Sequence, residues 1–222
     1  MERKPEPELM DSEEQTRAYA EADFEESNAL FTRALLNAFP DLTETGDLAD
    51  LGCGPADICI RIAQRLPGWR ITGIDAGENM LRRAREAVMA TGLERRVMLR
   101  HAYLPDPGLG RHSFDAITSN SLLHHLPDPM TLWNSACQLG RPGSAILVMD
   151  LRRPRDEQEA ARLVETYAAD APVVLKEDFY NSLLAAYTVT EIEDQLSRAG
   201  LEHLKLQTPS DRHWLAAGRL AA

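Results

Sequence analysis

One stretch of the chain constrains its fold more than any other. Residues 49–55 read Ala-Asp-Leu-Gly-Cys-Gly-Pro, and residues 71–75 read Ile-Thr-Gly-Ile-Asp. An apolar run, two glycines, a helical run and a second apolar run ending in an acid describe one βαβ unit. Gly52 and Gly54 lack a Cβ, so the N–H groups of the turn can approach a ligand closely. Asp75 lies where a carboxylate accepts hydrogen bonds from two ribose hydroxyls, so the unit predicts a site for a ribose-bearing cofactor.

Two kinds of cofactor fit such a unit. Nicotinamide dinucleotide enzymes use the fingerprint Gly-x-Gly-x-x-Gly, but this chain has Asp57 in place of the third glycine. A carboxylate there would repel a pyrophosphate. Asp50, two residues before the first glycine, suits a cofactor that carries an amino group and a sulfonium cation. If the cofactor were a nicotinamide dinucleotide instead, the protein would be an NAD(P)-dependent oxidoreductase of Rossmann type, and this is the alternative interpretation.

The motif Asp-x-Gly-x-Gly at 50–54, followed by Asp75, resembles the class I S-adenosylmethionine (SAM)-dependent methyltransferases. The segment Ser-Leu-Leu-His-His-Leu-Pro-Asp-Pro at 121–129 looks like the one that borders the methyl-transfer site in ubiquinone and menaquinone methyltransferases. The resemblance covers residues 45–152. It implies S-adenosyl-L-methionine as cofactor and methyl transfer to a small-molecule acceptor. A catalytically silent SAM-binding module is a second alternative.

Alternating apolar and helical patterns predict an α/β fold with a doubly wound parallel sheet. The family resemblance implies a seven-stranded, Rossmann-like sheet with a C-terminal antiparallel hairpin and extra lid helices. We expect one domain with four parts: an N-terminal helical lid at 1–46, a cofactor-binding core at 47–154, a helical insertion at 155–187, and a final helix and hairpin at 188–222. The first ten residues of the lid are expected to be disordered. Predicted strands are 47–51, 69–75, 96–100, 114–119 and 145–150, predicted helices are 55–66, 78–91 and 129–139, and 139–144 is a predicted turn.

Ligands of an open parallel sheet lie beyond the carboxyl ends of its strands. The family usually places an acid after the third strand to bind the adenine amino group, but this chain has none at the aligned position. Either the backbone near Ala102 and Tyr103 takes that role, or Asp106 reaches back. The predicted cofactor-binding residues are Asp50, Gly52, Gly54, Asp75, Ala102, Tyr103 and Asn120.

The acceptor site is predicted from position at the same sheet edge. His124 is the candidate general base, since an imidazole titrates near neutral pH, although packing at the helix entry is an alternative role. Arg152 offers charge-assisted hydrogen bonds to a carboxylate or phosphate. The predicted substrate-binding residues are Tyr19, His125, Arg152 and Tyr180.

Charge and cysteine content narrow the function further. The net charge of −11 opposes a nucleic-acid substrate, because such binding relies on basic surface. The three cysteines, Cys53, Cys59 and Cys137, have no spacing that predicts a disulfide framework or a zinc site, so we predict no metal. No apolar run is long enough to span a membrane, and the charged, proline-rich start is unlike a signal peptide. We therefore expect a cytoplasmic enzyme, with a homodimer left open.

Overall fold

The computed structural model describes residues 1–6 and 11–221. Its centre is one seven-stranded sheet of order β3-β2-β1-β4-β5-β7-β6. The first five strands run parallel to one another, and β7 runs antiparallel to both β5 and β6. The predicted fold class is therefore confirmed, including the C-terminal hairpin. The strands are β1 Gly46–Leu51, β2 Trp69–Asp75, β3 Val97–His101, β4 Phe114–Asn120, β5 Gly140–Leu151, β6 Lys205–Gln207 and β7 His213–Arg219.

Eight α-helices surround the sheet in the described part of the chain. The fourth ends at Gly92, whose φ of +67° gives the left-handed cap that glycine favours. The eighth begins with a capping box between Thr188 and Glu191. No described helix combines the length and apolarity needed to cross a membrane. The helices are α1 Glu13–Glu21, α2 Glu25–Ala38, α3 Asp57–Arg65, α4 Glu78–Thr91, α5 Met130–Leu139, α6 Glu157–Ala168, α7 Val173–Ala185 and α8 Val189–Arg198.

Apolar side chains cover both faces of the sheet. On one face, residues of α2, α3 and α4 pack against β1 and β2. On the other face, α5 and α8 pack against the sheet, and Trp133 lies near Trp214 with ring centroids 6.4 Å apart. Because both faces are covered, the strands are apolar along most of their length, and polar side chains collect at the strand ends.

Two local predictions were wrong. Leu139 ends α5, and residues 140–144 form the start of β5 rather than a turn, with a register shift between Phe114 and Ala116 that accommodates the glycines and proline. Residues 1–6 are not disordered but lie against α7: the Lys4 N–H donates to the Leu184 carbonyl at 3.0 Å, and Arg3 Nε donates to the Ala185 carbonyl at 2.5 Å. The rest of the segment predicted as disordered, residues 7–10, lies outside the described residues.

Helices α1 and α2 cover the carboxyl edge of the sheet, but they are attached differently. Helix α2 buries Phe31 and Leu35 completely in the core. Helix α1 buries only Thr16 and is joined to its neighbours by polar contacts. Glu13 pairs with Arg82 at 2.6 Å, and Gln15 donates to Asp178 at 3.0 Å.

Candidate active site

The glycine turn after β1 folds back over the end of β2. The N–H groups of Gly52 and Cys53 both donate to the Ile74 carbonyl, at 2.8 and 3.0 Å. Gly52 and Gly54 have φ values of +73° and +51°, which L side chains rarely adopt. The backbone therefore favours glycine at both positions, although Ala56, which leads into α3, adopts a similar φ of +68°.

Asp75, at the end of β2, holds two backbone segments together. Its carboxylate accepts the N–H of Gly54 and the N–H of Gly77, each at 2.8 Å. Burial raises the pKa of Asp75, although these two N–H donors oppose the rise. Beside it, the Asp11 carboxylate accepts the N–H groups of Asn79 and Met80 at the start of α4. The carboxylate of Asp75 thus fixes the relative position of the glycine turn and the start of α4.

Asp50 is buried beneath the glycine turn, with 2% of its surface exposed. The Thr118 hydroxyl donates to its Oδ1 at 2.8 Å, and the Cys59 thiol donates to its Oδ2 at 3.3 Å. Burial raises the pKa of Asp50 to about 6 from an ordinary value of 3.8, against the two hydrogen bonds. The fold therefore disfavours the charged form of the Asp50 carboxyl group.

These groups border one cleft of about 610 Å³, within the range of small-molecule sites. A Cβ on Gly54 would meet nothing within 4 Å, so the turn faces open space. Asn120 Oδ1 is buried and has no hydrogen-bond partner within the described residues, which leaves an acceptor free for a ligand. All seven predicted cofactor residues line the cleft: Asp50, Gly52, Gly54, Asp75, Ala102, Tyr103 and Asn120.

Of the two candidates for adenine contacts, the backbone is the better placed. Ala102 and Tyr103 line the cleft, and the Ala102 N–H donates to the Asp75 carbonyl at 3.0 Å. Asp106 is not among the lining residues, and its carboxylate caps the short turn at 107–109 by accepting the Gly108 N–H at 2.7 Å.

Beyond the cleft wall lies a buried cluster of ionisable groups. His124 is 3% exposed, and its Nδ1 lies 2.5 Å from Asp150 Oδ1. Its Nε2 lies 3.5 Å from Glu6 Oε1, which is 3.2 Å from His125 Nδ1. Burial alone would lower the pKa of His124, but the Asp150 and Glu6 carboxylates raise it on balance. Burial also raises the pKa of Glu6.

The methyltransferase domain family matches residues 42–198, most of the chain. The chain belongs to this family. A demethylmenaquinone methyltransferase of Bacillus cytotoxicus is 32% identical over 106 residues, which are 47% of this chain and 44% of the relative. A trans-aconitate 2-methyltransferase of Afipia carboxidovorans is 31% identical over 139 residues, 62% of this chain and 50% of the relative. The chain spans about half the length of these curated relatives.

Solved structures support the fold of this methyltransferase domain. A SAM-dependent methyltransferase of Aquifex aeolicus has a TM-score of 0.68 at 14% identity, covering 93% of this chain and 98% of that one. A phosphoethanolamine N-methyltransferase 2 of Haemonchus contortus, in complex with phosphomonomethylethanolamine and S-adenosylhomocysteine, has a TM-score of 0.60 at 18% identity, covering 79% of this chain and 38% of that one.

The predicted acceptor-site residues of the methyltransferase domain do not all line the same cleft. Tyr19 and His125 line the cleft, and burial raises the pKa of Tyr19 to about 12. His124 does not line the cleft. The Arg152 guanidinium instead donates to the Asp211 carbonyl at 2.9 Å. Tyr180 lines a separate surface groove between α6 and α7. Arg152 and Tyr180, two of the four predicted substrate-binding residues, are therefore not among the residues that line this cleft.

The sequence-based site gave no role to two groups that the structure places beside His124 and His125. Asp150 lies one residue before the end of β5, and its position at the carboxyl edge of the sheet was predicted, but its contact with His124 was not. Glu6 belongs to a segment that was predicted to be disordered, and no local pattern links it to His124, which is 118 residues later.

A pair of substitutions tests the glycine turn of the methyltransferase domain. Alanine at either position would adopt left-handed backbone at a cost of about 1–2 kcal/mol. In Gly52→Ala the new Cβ would also lie 2.9 Å from Leu122 Cβ, whereas in Gly54→Ala it meets nothing. We expect Gly52→Ala to lower the free energy of unfolding by about 1–3 kcal/mol more than Gly54→Ala, measured by denaturant titration. Equal losses would show that Leu122 moves aside without strain.

Proposed function

We propose that this protein is a SAM-dependent methyltransferase that transfers a methyl group to a small-molecule acceptor. One observation carries the proposal: the Asp75 carboxylate and the turn at 52–54 border the same cleft as Tyr19 and His125. A ribose-binding acid and a separate acceptor end therefore share one continuous space, which a methyl transfer between two bound molecules requires.

The chain's own residues fit the cofactor group by group. Asp75 would accept hydrogen bonds from the ribose hydroxyls, and Asn120 Oδ1 offers the free acceptor noted above. The negative charge of Asp50 lies beneath the turn, where a cationic group would compensate its burial. When bound, the sulfonium of SAM supplies an activated methyl group. The protein's task is then to align the acceptor atom with that methyl and to exclude water.

The acceptor end favours a small molecule. Helices α1 and α2 cover the cleft with Tyr19 and Phe24, whose ring centroids lie 4.6 Å apart. A nucleic acid would need an open, basic groove, which the net charge of −11 opposes. The curated relatives carry names of chemically different acceptors, a demethylmenaquinone and trans-aconitate, so the acceptor of this chain does not follow from them. A cytoplasmic location fits the three free cysteines.

The role of His124 changes with its location. A general base has to reach the acceptor's proton within hydrogen-bond distance or through one water. His124 is buried behind His125, with one ring nitrogen bound by Asp150 and the other facing Glu6. We therefore assign contact with the acceptor to His125. We assign to His124 a positioning role, in which it supports His125 at the wall of the cleft.

Cofactor titration tests the proposed function directly. Isothermal calorimetry should show binding of SAM and of S-adenosylhomocysteine, while NAD and NADP give no heat. Incubation with methyl-labelled SAM and a metabolite extract should then yield labelled small molecules. Binding of NAD without SAM would support the oxidoreductase instead. Binding of SAM without any labelled product would support the catalytically silent module, and label found only in macromolecules would refute a small-molecule acceptor.

A further inference from the structure

Three side chains beside the acceptor end bring two imidazoles and one carboxylate to a single point. The ligand atoms of Glu6, His124 and His125 all lie within 4.8 Å of one another. The side chains of Glu6 and His124 are 9% and 3% exposed, and that of His125 is 12% exposed. A buried cluster of this composition differs from the solvated acidic groups of an ordinary surface, because each charge in it has been removed from water.

The separations between these atoms match those of ligands around a small cation. Glu6 Oε1 lies 3.5 Å from His124 Nε2 and 3.2 Å from His125 Nδ1. Two ligands at about 2.0–2.1 Å from a tetrahedral zinc ion are about 3.4 Å apart. A carboxylate bonded directly to a charged imidazole would approach to about 2.7–2.9 Å. The carboxylate is thus too distant for strong direct hydrogen bonds, yet close enough to share an ion with both rings.

The surrounding groups orient the three candidate ligands. Asp150 Oδ1 lies 2.5 Å from His124 Nδ1, so His124 Nε2 is the nitrogen left to bind an ion. Such a carboxylate on the second ring nitrogen is the usual partner of a metal-binding histidine. The Ser182 hydroxyl donates to Glu6 Oε1 at 3.0 Å. Arg3 donates to the His124 carbonyl at 2.9 Å, which ties the segment that carries Glu6 to the histidine pair.

From this geometry we propose that Glu6, His124 and His125 bind one divalent transition-metal ion at the acceptor end of the cleft. Two nitrogens and one oxygen suit zinc and its first-row neighbours, whereas calcium and magnesium prefer oxygen ligands alone. Three protein ligands leave a fourth position for another molecule. His125 also lines the cleft, so the ion lies where it can polarise an oxygen of an acceptor. The site goes beyond the proposed function, since metal binding does not depend on methyl transfer. It also departs from the sequence-based expectation of no metal, which rested on the cysteines.

Zinc binding by the full chain, freed of metal with a chelator and carrying no histidine tag, tests the proposal. We expect one zinc per chain in a competition titration and a visible absorption band when cobalt(II) replaces zinc. Glu6→Gln and His125→Asn should each weaken zinc binding at least 100-fold. The control is His203→Asn, which changes an exposed histidine just before β6 whose ring lies 2.8 Å from the Arg219 carbonyl. This variant should bind zinc as the parent does.

Two outcomes would overturn the site: a parent protein that binds no zinc, or zinc affinity that is the same in Glu6→Gln and His125→Asn as in the parent. Thermal denaturation of each metal-free variant shows whether it is folded. If one variant is unfolded, the zinc affinity of the other variant decides whether the site exists. SAM binding is measured on the same metal-free samples. If either of these zinc outcomes is found while SAM still binds, the metal site alone is refuted. If SAM does not bind while zinc does, the proposed function alone is refuted.

Discussion

Replacing Asp75 by alanine is expected to weaken SAM binding by at least 100-fold. The substitution removes the acceptor for the ribose hydroxyls and also the carboxylate that holds the N–H groups of Gly54 and Gly77. A hydrogen bond to a charged group contributes about 1.5–3 kcal/mol, and two such losses exceed the roughly 2.7 kcal/mol that a 100-fold change represents. Calorimetric titration of SAM into the variant measures the effect.

Two comparisons make this result specific. Asp75→Asn keeps one acceptor oxygen at the same place, so its affinity should fall between those of the parent and of Asp75→Ala. Asp47→Asn changes a carboxylate at the opposite end of β1, where it pairs with Arg70 at 2.7 Å, and should leave SAM affinity unchanged. Unaltered binding by Asp75→Ala would mean that the ribose lies elsewhere in the cleft.

Replacing Asp50 by asparagine is expected to make the protein more stable at pH 8 and less able to bind SAM. The pKa of Asp50 is raised from 3.8 to about 6 in the fold, so the folded state favours the protonated form. The stability that this group contributes is fully present below about pH 4 and is lost as pH rises through about 6. Because a difference of one in pKa corresponds to about 1.36 kcal/mol, the free energy of unfolding at pH 8 is about 3 kcal/mol lower than it would be with the same carboxyl protonated.

Asparagine has nearly the same shape and cannot ionise, so Asp50→Asn should recover about 2–3 kcal/mol at pH 8 and almost nothing at pH 4. Denaturant titrations of the SAM-free proteins at both pH values measure this difference. SAM affinity should fall in the same variant, because a negative charge near the cationic cofactor is lost; functional sites often lower stability in this way. A stability difference that is the same at both pH values would contradict the raised pKa.

Most of the fold was predictable from sequence, and so was the grouping of the predicted cofactor-binding residues around one cleft. Periodicity and glycine placement identified β2 and α4 with the bounds that the structure has. The cofactor residues follow from the same logic, since each lies at the end of a parallel strand or in the turn after it. Such local patterns are decisive because neighbouring parallel strands end at one common edge.

The acceptor half was not predictable to the same degree. Its composition depends on how α7 and residues 1–6 pack, and both are contacts between distant parts of the chain. Tyr180 was assigned to the cleft from its segment alone, although the helix turns it toward α6. Glu6 was assigned to no structure, because a charged, proline-rich segment has no periodicity of its own. Tertiary packing, not local sequence, decides both cases.

The unequal attachment of the two covering helices determines how a molecule can enter or leave the cleft. Opening α2 would expose Phe31 and Leu35 to water, which is equivalent to unfolding part of the core. Detaching α1 exposes far less apolar surface and breaks mainly exposed ion pairs such as Glu13–Arg82, which contribute little to stability because water screens them. Release of α1 should therefore cost less free energy than release of α2, so we expect α1 rather than α2 to move if the cleft opens.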